Sequence, residues 1–147
     1  MRFLRLNNFL RLFLCAFITL ATVLVFRSLS VDKLTKITGK RQFYLNSASS
    51  QAVIKDELSL FDLFSVTGES VAFSLQGENG EEKARELIAE YNGKVLFTER
   101  AGGTLSYYCF AKGLGKGILL DGVFVNLHIA IRGDTCAVGT PILFGGF

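Results

Sequence analysis

The chain is poor in the residues that build most chemical sites. Its 147 residues include one His, one Pro, one Met, three Cys and no Trp. A single imidazole excludes a metal centre made of several histidines. Three thiols exclude a disulfide-dense mini-protein and a four-cysteine zinc site. Charged residues make up only 20% and hydrophobic ones 50%, which excludes a disordered or low-complexity chain. The length fits one domain. Phe, by contrast, is abundant, with 14 copies.

The first thirty residues are a separate object. Arg2, Arg5 and Arg11 precede an uncharged run, Leu12-Phe26, without Gly or Pro. As a helix this run is about 22 Å long. That is short against a hydrocarbon core of about 30 Å and fits the hydrophobic region of a secretory signal. Ser28-Leu29-Ser30 then offers small residues where a signal peptidase reads them. The rival reading is an uncleaved anchor lengthened by Phe3, Leu4, Leu6, Phe9 and Leu10, which would hold the protein to a membrane through Leu12-Phe26. Basic residues flank both ends, with Lys33, Lys36, Lys40 and Arg41 following, so the positive-inside rule assigns no orientation. Cys15 lies inside the run after Leu14, which does not suit a lipidation site.

Four of the 16 basic residues (Arg2, Arg5, Arg11 and Arg27) sit in this leader, and all 13 acidic residues lie beyond it. From Val31 onward the balance is therefore −1. The positive charge belongs to targeting, and the scattered Lys and Arg of the remainder form no basic stripe, so no nucleic-acid partner is expected.

The domain reading is 1–30 signal peptide or signal anchor, 31–41 polar basic linker with a break at Gly39, and 42–147 a small α+β domain. A helix is predicted over Gly80–Asn92. Asn79 caps it, Glu81 and Glu82 complement its dipole, and Ala84, Leu87, Ile88 and Tyr91 form one apolar stripe. Asn92-Gly93 supplies the exit. Strands are predicted at Phe43–Ser47, Ser70–Gln76, Lys94–Arg100, Thr104–Ala111, Ile118–Leu120, Val123–Ile131 and Thr135–Phe144. Turns are predicted at Thr67-Gly68-Glu69, Ala101-Gly102-Gly103, Asp121-Gly122 and Arg132-Gly133-Asp134. Leu58–Val66 fits a helical turn as well as a buried strand. Pro141 marks an edge strand or a strand's end. The fold class is α+β: an antiparallel sheet with one main amphipathic helix on one face, preceded by the N-terminal hydrophobic helix.

In Val123–Ile131 the period-two pattern sends Val123, Val125, Leu127, Ile129 and Ile131 to the core and Phe124, Asn126, His128 and Ala130 to the other face. Phe110 and one of Tyr107 and Tyr108 join that second face. If the Leu58–Phe64 segment does not cover it, it is a binding surface, with Tyr108, Phe124, Asn126 and His128 as candidate contacts. Cys109 and His128 suit nucleophile and base only if both lie within hydrogen-bond reach. Cys109 and Cys136 suit a disulfide if the chain is exported and their Cα atoms are close. Gly113-Leu114-Gly115-Lys116-Gly117 lacks the Ser/Thr and following helix of a phosphate loop and reads as a strand connection. Arg132-Gly133-Asp134 matches an adhesive tripeptide but sits where a turn is required. The apolar tail Ile142-Leu143-Phe144-Gly145-Gly146-Phe147 reads as a closing strand or as an edge offered to a partner. No cofactor, catalytic set or metal site is expected.

The leader, the short α+β domain, the strand Asn126-Leu127-His128-Ile129-Ala130 and the closing Gly139-Thr140-Pro141-Ile142 together resemble the YwmB-like family of Gram-positive, often spore-forming bacteria. These are exported proteins whose family label refers to a TATA-box-binding-like fold. The resemblance covers the leader and roughly the C-terminal half. It implies an extracytoplasmic domain and brings no catalytic residues. The fold label does not imply DNA binding for an exported domain of charge −1.

The functional expectation is a non-catalytic envelope protein, exported or anchored, whose sheet face or edge meets a protein or cell-envelope partner. The alternatives are a small hydrolase or thiol enzyme using Cys109 and His128, and a subunit of a membrane complex with the leader retained as a transmembrane helix.

Overall fold

The computed structural model describes residues 2–49 and 51–144, with side chains from Asn8 onward. The N-terminal run forms one helix, α1 (Arg2–Val31). It passes through Ser28-Leu29-Ser30 without a break. Its stretch Asn8–Val31, 24 residues, is long and apolar enough to cross a membrane, and none of its apolar window is buried against the rest of the chain.

Among the described residues nine strands follow: β1 (Lys40–Leu45), β2 (Val53–Lys55), β3 (Val66–Ser74), β4 (Gly93–Ala101), β5 (Thr104–Ala111), β6 (Ile118–Leu120), β7 (Val123–Val125), β8 (Leu127–Arg132) and β9 (Thr135–Thr140). Seven form one antiparallel sheet in the order β2-β1-β3-β9-β8-β5-β4, and β6 and β7 form a separate ribbon. The helix α2 (Gly80–Glu90) connects β3 to β4. Asn79 Oδ1 accepts from the backbone N–H groups of Glu81 and Glu82 at 3.0 and 3.2 Å, satisfying two otherwise unpaired donors of its first turn. Ala84, Leu87 and Ile88 are buried on the sheet against Leu127, Ile129, Cys136 and Val138. The architecture is α+β, an antiparallel sheet with α2 on one face.

Asp121 and Gly122 both take positive φ, as a tight hairpin requires. Gly102 and Gly103 do the same between β4 and β5. β9 ends at Thr140, so Pro141 marks a strand's end and not an edge.

Several expectations are corrected. Thr67-Gly68-Glu69 is not a turn but lies within β3, paired with β1. Gly68 is there for close packing: a Cβ would stand 2.6 Å from the Thr140 carbonyl and 2.8 Å from Pro141 Cδ. Residues 58–65 form no strand, and β3 takes up the chain at Val66; a 3-10 turn (Asp62–Phe64) is held by Asp62, which accepts from Ser59 N–H at 2.9 Å and from Lys55. The run 123–131 is divided at Asn126 into β7 and β8.

The segment 31–41 is no free linker. Leu34 and Ile37 are buried in the core, and β1 already begins at Lys40. Glu69, only 1% exposed, accepts from the N–H groups of Lys33 and Leu34 and from Arg41. Arg41 also pairs with Asp32 and donates to the Leu34 carbonyl at 3.0 Å. The turn below α1 is thus folded around one buried ion pair.

The sheet face opposite α2 is covered; within residues 58–64 Leu63 is buried while Leu60 and Phe61 stand in solvent. Residues 141–144 lie across this face. Leu143 packs over Gly139, and the Tyr44 and Phe144 rings meet edge-on at 5.2 Å. The Gly145-Gly146-Phe147 end of the expected closing strand lies outside the described residues.

Candidate functional site

The second face of β8 is structural. His128 pairs in register with Tyr108, and Tyr108 with Phe97. Their rings stack at 4.3 and 4.4 Å across three strands. His128 Nδ1 accepts from Leu143 N–H at 3.2 Å, while Nε2 is buried with no partner among the described residues. Burial pushes this imidazole down to about 4, so it is neutral at pH 7. Tyr108 is buried too, and its hydroxyl donates to Glu99.

Asn126 is fully buried. Its Oδ1 accepts from Ala111 N–H at 2.7 Å, and its Nδ2 donates to the carbonyls of Ala111 and Gly115 at 2.8 and 3.1 Å. It completes the backbone pairing where the chain leaves β5, which is why the strand is divided here. Tyr108, Asn126 and His128 are therefore core polar residues, not surface contacts. Phe124 remains exposed, 6.1 Å from the Phe110 ring and in register with exposed Leu119 on the ribbon.

Cys109 and His128 are not brought together. Cys109 pairs in register with Leu127 on the α2 face, whereas His128 points to the opposite face. Cys109 and Cys136 are free thiols, both buried. β8 lies between their strands, a separation of about 10 Å at the usual strand spacing, beyond the roughly 7 Å a disulfide spans. Burial raises both thiols to about 12, so neither is a nucleophile at neutral pH. Arg132-Gly133-Asp134 is a structural turn. Asp134 accepts from Ser74 Oγ at 2.6 Å and from Gly77 N–H at 3.1 Å. Among the described residues, no three His, Cys, Asp or Glu side chains are placed to hold a metal ion.

Among the recesses of the described residues are two beside the segment that joins α1 to β1. The first, about 300 Å³, lies between α2 and the segment after β3. Its charges are paired with each other: Lys83 with Glu78 at 3.4 Å and Lys36 with Glu90 at 3.8 Å. The second, about 430 Å³, lies at the root of α1. Its walls are the last turn of α1, the start of β3, the loop of residues 115–117 and Pro141. Arg27, Lys33 and Lys116 line it. Glu69 also reaches it, but both its oxygens are occupied by the turn below α1 and by Arg41. Lys33 Nζ donates to the Leu114 carbonyl at 2.6 Å. Burial lowers the Lys33 ammonium most; Glu69 opposes this, and the neighbouring Lys116 charge adds to it. Lys116 has no acidic partner among the described residues. The cavity thus carries cationic charge that its own walls do not neutralise.

Sequence reasoning misses this cavity because its cations are far apart in the chain and fall separately in leader, linker and loop. The available signal was the loop Gly113-Leu114-Gly115-Lys116-Gly117, whose Gly115 takes φ of 72° beside the Lys33 ammonium.

No protein-family model matches the chain, and no curated protein or solved structure matches it either.

Proposed function

We propose that the protein is a membrane-anchored, non-catalytic binding module, with α1 retained as a transmembrane helix and the α+β domain on the extracytoplasmic side. The observation that carries this reading is the continuity of α1 with the domain. The helix remains helical through the Ser28-Leu29-Ser30 site, and the chain enters the core at Leu34. Arg27 donates to the Phe64 carbonyl at 3.3 Å, tying the last turns to the domain. A peptidase that needs an extended segment would have to unwind this helix end first.

The module meets a protein or cell-envelope partner through the exposed Phe110, Phe124 and Leu119 surface and the neighbouring edge strand β4. Intact mass of the native protein, recovered separately from membrane and medium, tests the anchor. A full-length mass in the membrane fraction supports it; a soluble form beginning near Val31 overturns it. A photo-crosslinker at Leu119 on intact cells tests the surface. One recurrent adduct, lost in Phe124→Lys, supports the surface; no adduct above background overturns it.

A further inference from the structure

We propose that the cavity at the root of α1 holds the phosphate of an anionic phospholipid headgroup, which fixes the domain against the bilayer that α1 crosses. The inference rests on the anchor reading and adds a ligand to it.

The placement follows from helix length. Twenty-four residues at 1.5 Å each give about 36 Å, against a hydrocarbon core of about 30 Å. With Asn8 at one boundary, the helix emerges near Arg27. The last turn of α1, which forms one wall of the cavity, then lies in the headgroup layer. The cavity opens where lipid phosphates are.

The charge fits. Lys33 and Lys116 both line the cavity, where the Lys116 charge opposes the Lys33 ammonium and the one carboxylate in the walls, Glu69, is shared with Arg41. An anion between them would relieve their repulsion and meet charge-assisted donors. Arg27 brings a guanidinium to the same rim, where such a side chain reaches headgroups while its stem stays apolar.

A second feature points to the same surface. Leu60, Phe61 and Phe64 are exposed on and beside the 3-10 turn, Phe61 at 89%. Arg27 stacks over the Phe64 ring at 5.4 Å. Apolar side chains beside the emerging helix, next to a cationic recess, match the apolar and polar layers of one bilayer leaflet.

The test uses the full chain purified in a neutral detergent. Thermal unfolding is followed with added phosphatidylglycerol, phosphatidylcholine, glycerol phosphate or inorganic phosphate. The expected result is a rise of about 5 °C with phosphatidylglycerol and little with the other three. Lys116→Gln removes one cation that makes no hydrogen bond among the described residues, so the variant should fold and lose most of the rise. Equal responses to phosphatidylglycerol and phosphatidylcholine, or an undiminished rise in Lys116→Gln, overturn the proposal. An equal rise with inorganic phosphate or glycerol phosphate overturns the lipid assignment in favour of a soluble phosphate. Alkaline extraction of native membranes is run in parallel. Release of the protein defeats the anchor reading itself, whereas retention with no lipid selectivity defeats the headgroup site alone.

Discussion

Acidification should destabilise the protein through His128 before any carboxylate cluster is lost. The imidazole titrates near 6.5 in an unfolded chain and at about 4 in the fold. A folded value below the unfolded one means that the group's stabilising contribution is complete above pH 6.5. It is lost as pH falls from 6.5 toward 4, because the unfolded chain takes the proton first. At pH 4.5 the linkage amounts to about 2 to 3 kcal/mol, a large share of the roughly 5–15 kcal/mol that holds a domain together. Glu69 acts in the opposite sense over part of this window, since burial raises its carboxyl above its ordinary value. Asp62, held down to about 2 mainly by Lys55, and Asp134, lowered mainly by Ser74, lose their contributions only as pH falls below their ordinary values. His128→Phe isolates the imidazole because it keeps the ring stack with Tyr108 but cannot titrate. It leaves the Leu143 N–H without its acceptor, costing about 1 kcal/mol at pH 7. The variant also removes the buried Nε2, unpartnered among the described residues, so the test is the slope. In urea unfolding of the full chain in a nonionic detergent, taken from pH 7.5 to 4.5, wild-type stability should fall by about 2 to 3 kcal/mol more than the variant's. Parallel curves for the two proteins would refute the reasoning.

Other outcomes are specific. Native protein should leave Cys109 and Cys136 unreactive toward a maleimide, and unfolding without reductant should expose both; a mass two units low on the native chain would show a bridge instead. Asn126→Ala should cost about 2 to 3 kcal/mol in urea unfolding, since it orphans buried backbone groups of Ala111. Asn79→Ala should cost about 1 kcal/mol and raise amide exchange in the first turn of α2; an unchanged exchange rate at Glu81 and Glu82 would count against the cap.

What the sequence discloses is the local part of this structure. β5 occupies the span its aromatic and β-branched run implies, and α2 follows from Asn79 and its apolar stripe. What it conceals is set by partners distant in the chain. A Gly between two polar residues reads as a turn, yet Gly68 is a packing glycine defined by Thr140 and Pro141. Leu34 and Ile37 are outnumbered by basic neighbours and read as linker, but Glu69, far along the chain, folds them inward. Period two in β8 separates two faces correctly and cannot say that both are buried, because the cover comes from residues 141–144 beyond a proline. The candidate surface residues are the polar or aromatic positions off the core set. Asn126 and His128 are unusual for a structural reason, one completing backbone pairing and the other supporting Leu143.

The ion pair of Glu69 with Arg41 removes slack from the passage between helix and sheet. A domain on a floppy tether sweeps a hemisphere and samples partners at many heights. Here the chain is fastened at Lys33 and Leu34, within one helical turn of where α1 ends. The domain's heading therefore follows the tilt of α1. With α1 in a bilayer, as proposed, its encounters would be confined to a thin shell above the lipid, favouring a neighbour in the same membrane over one far out in the wall. The same stiffness works in reverse, since a pull on β4 would reach α1 as a torque.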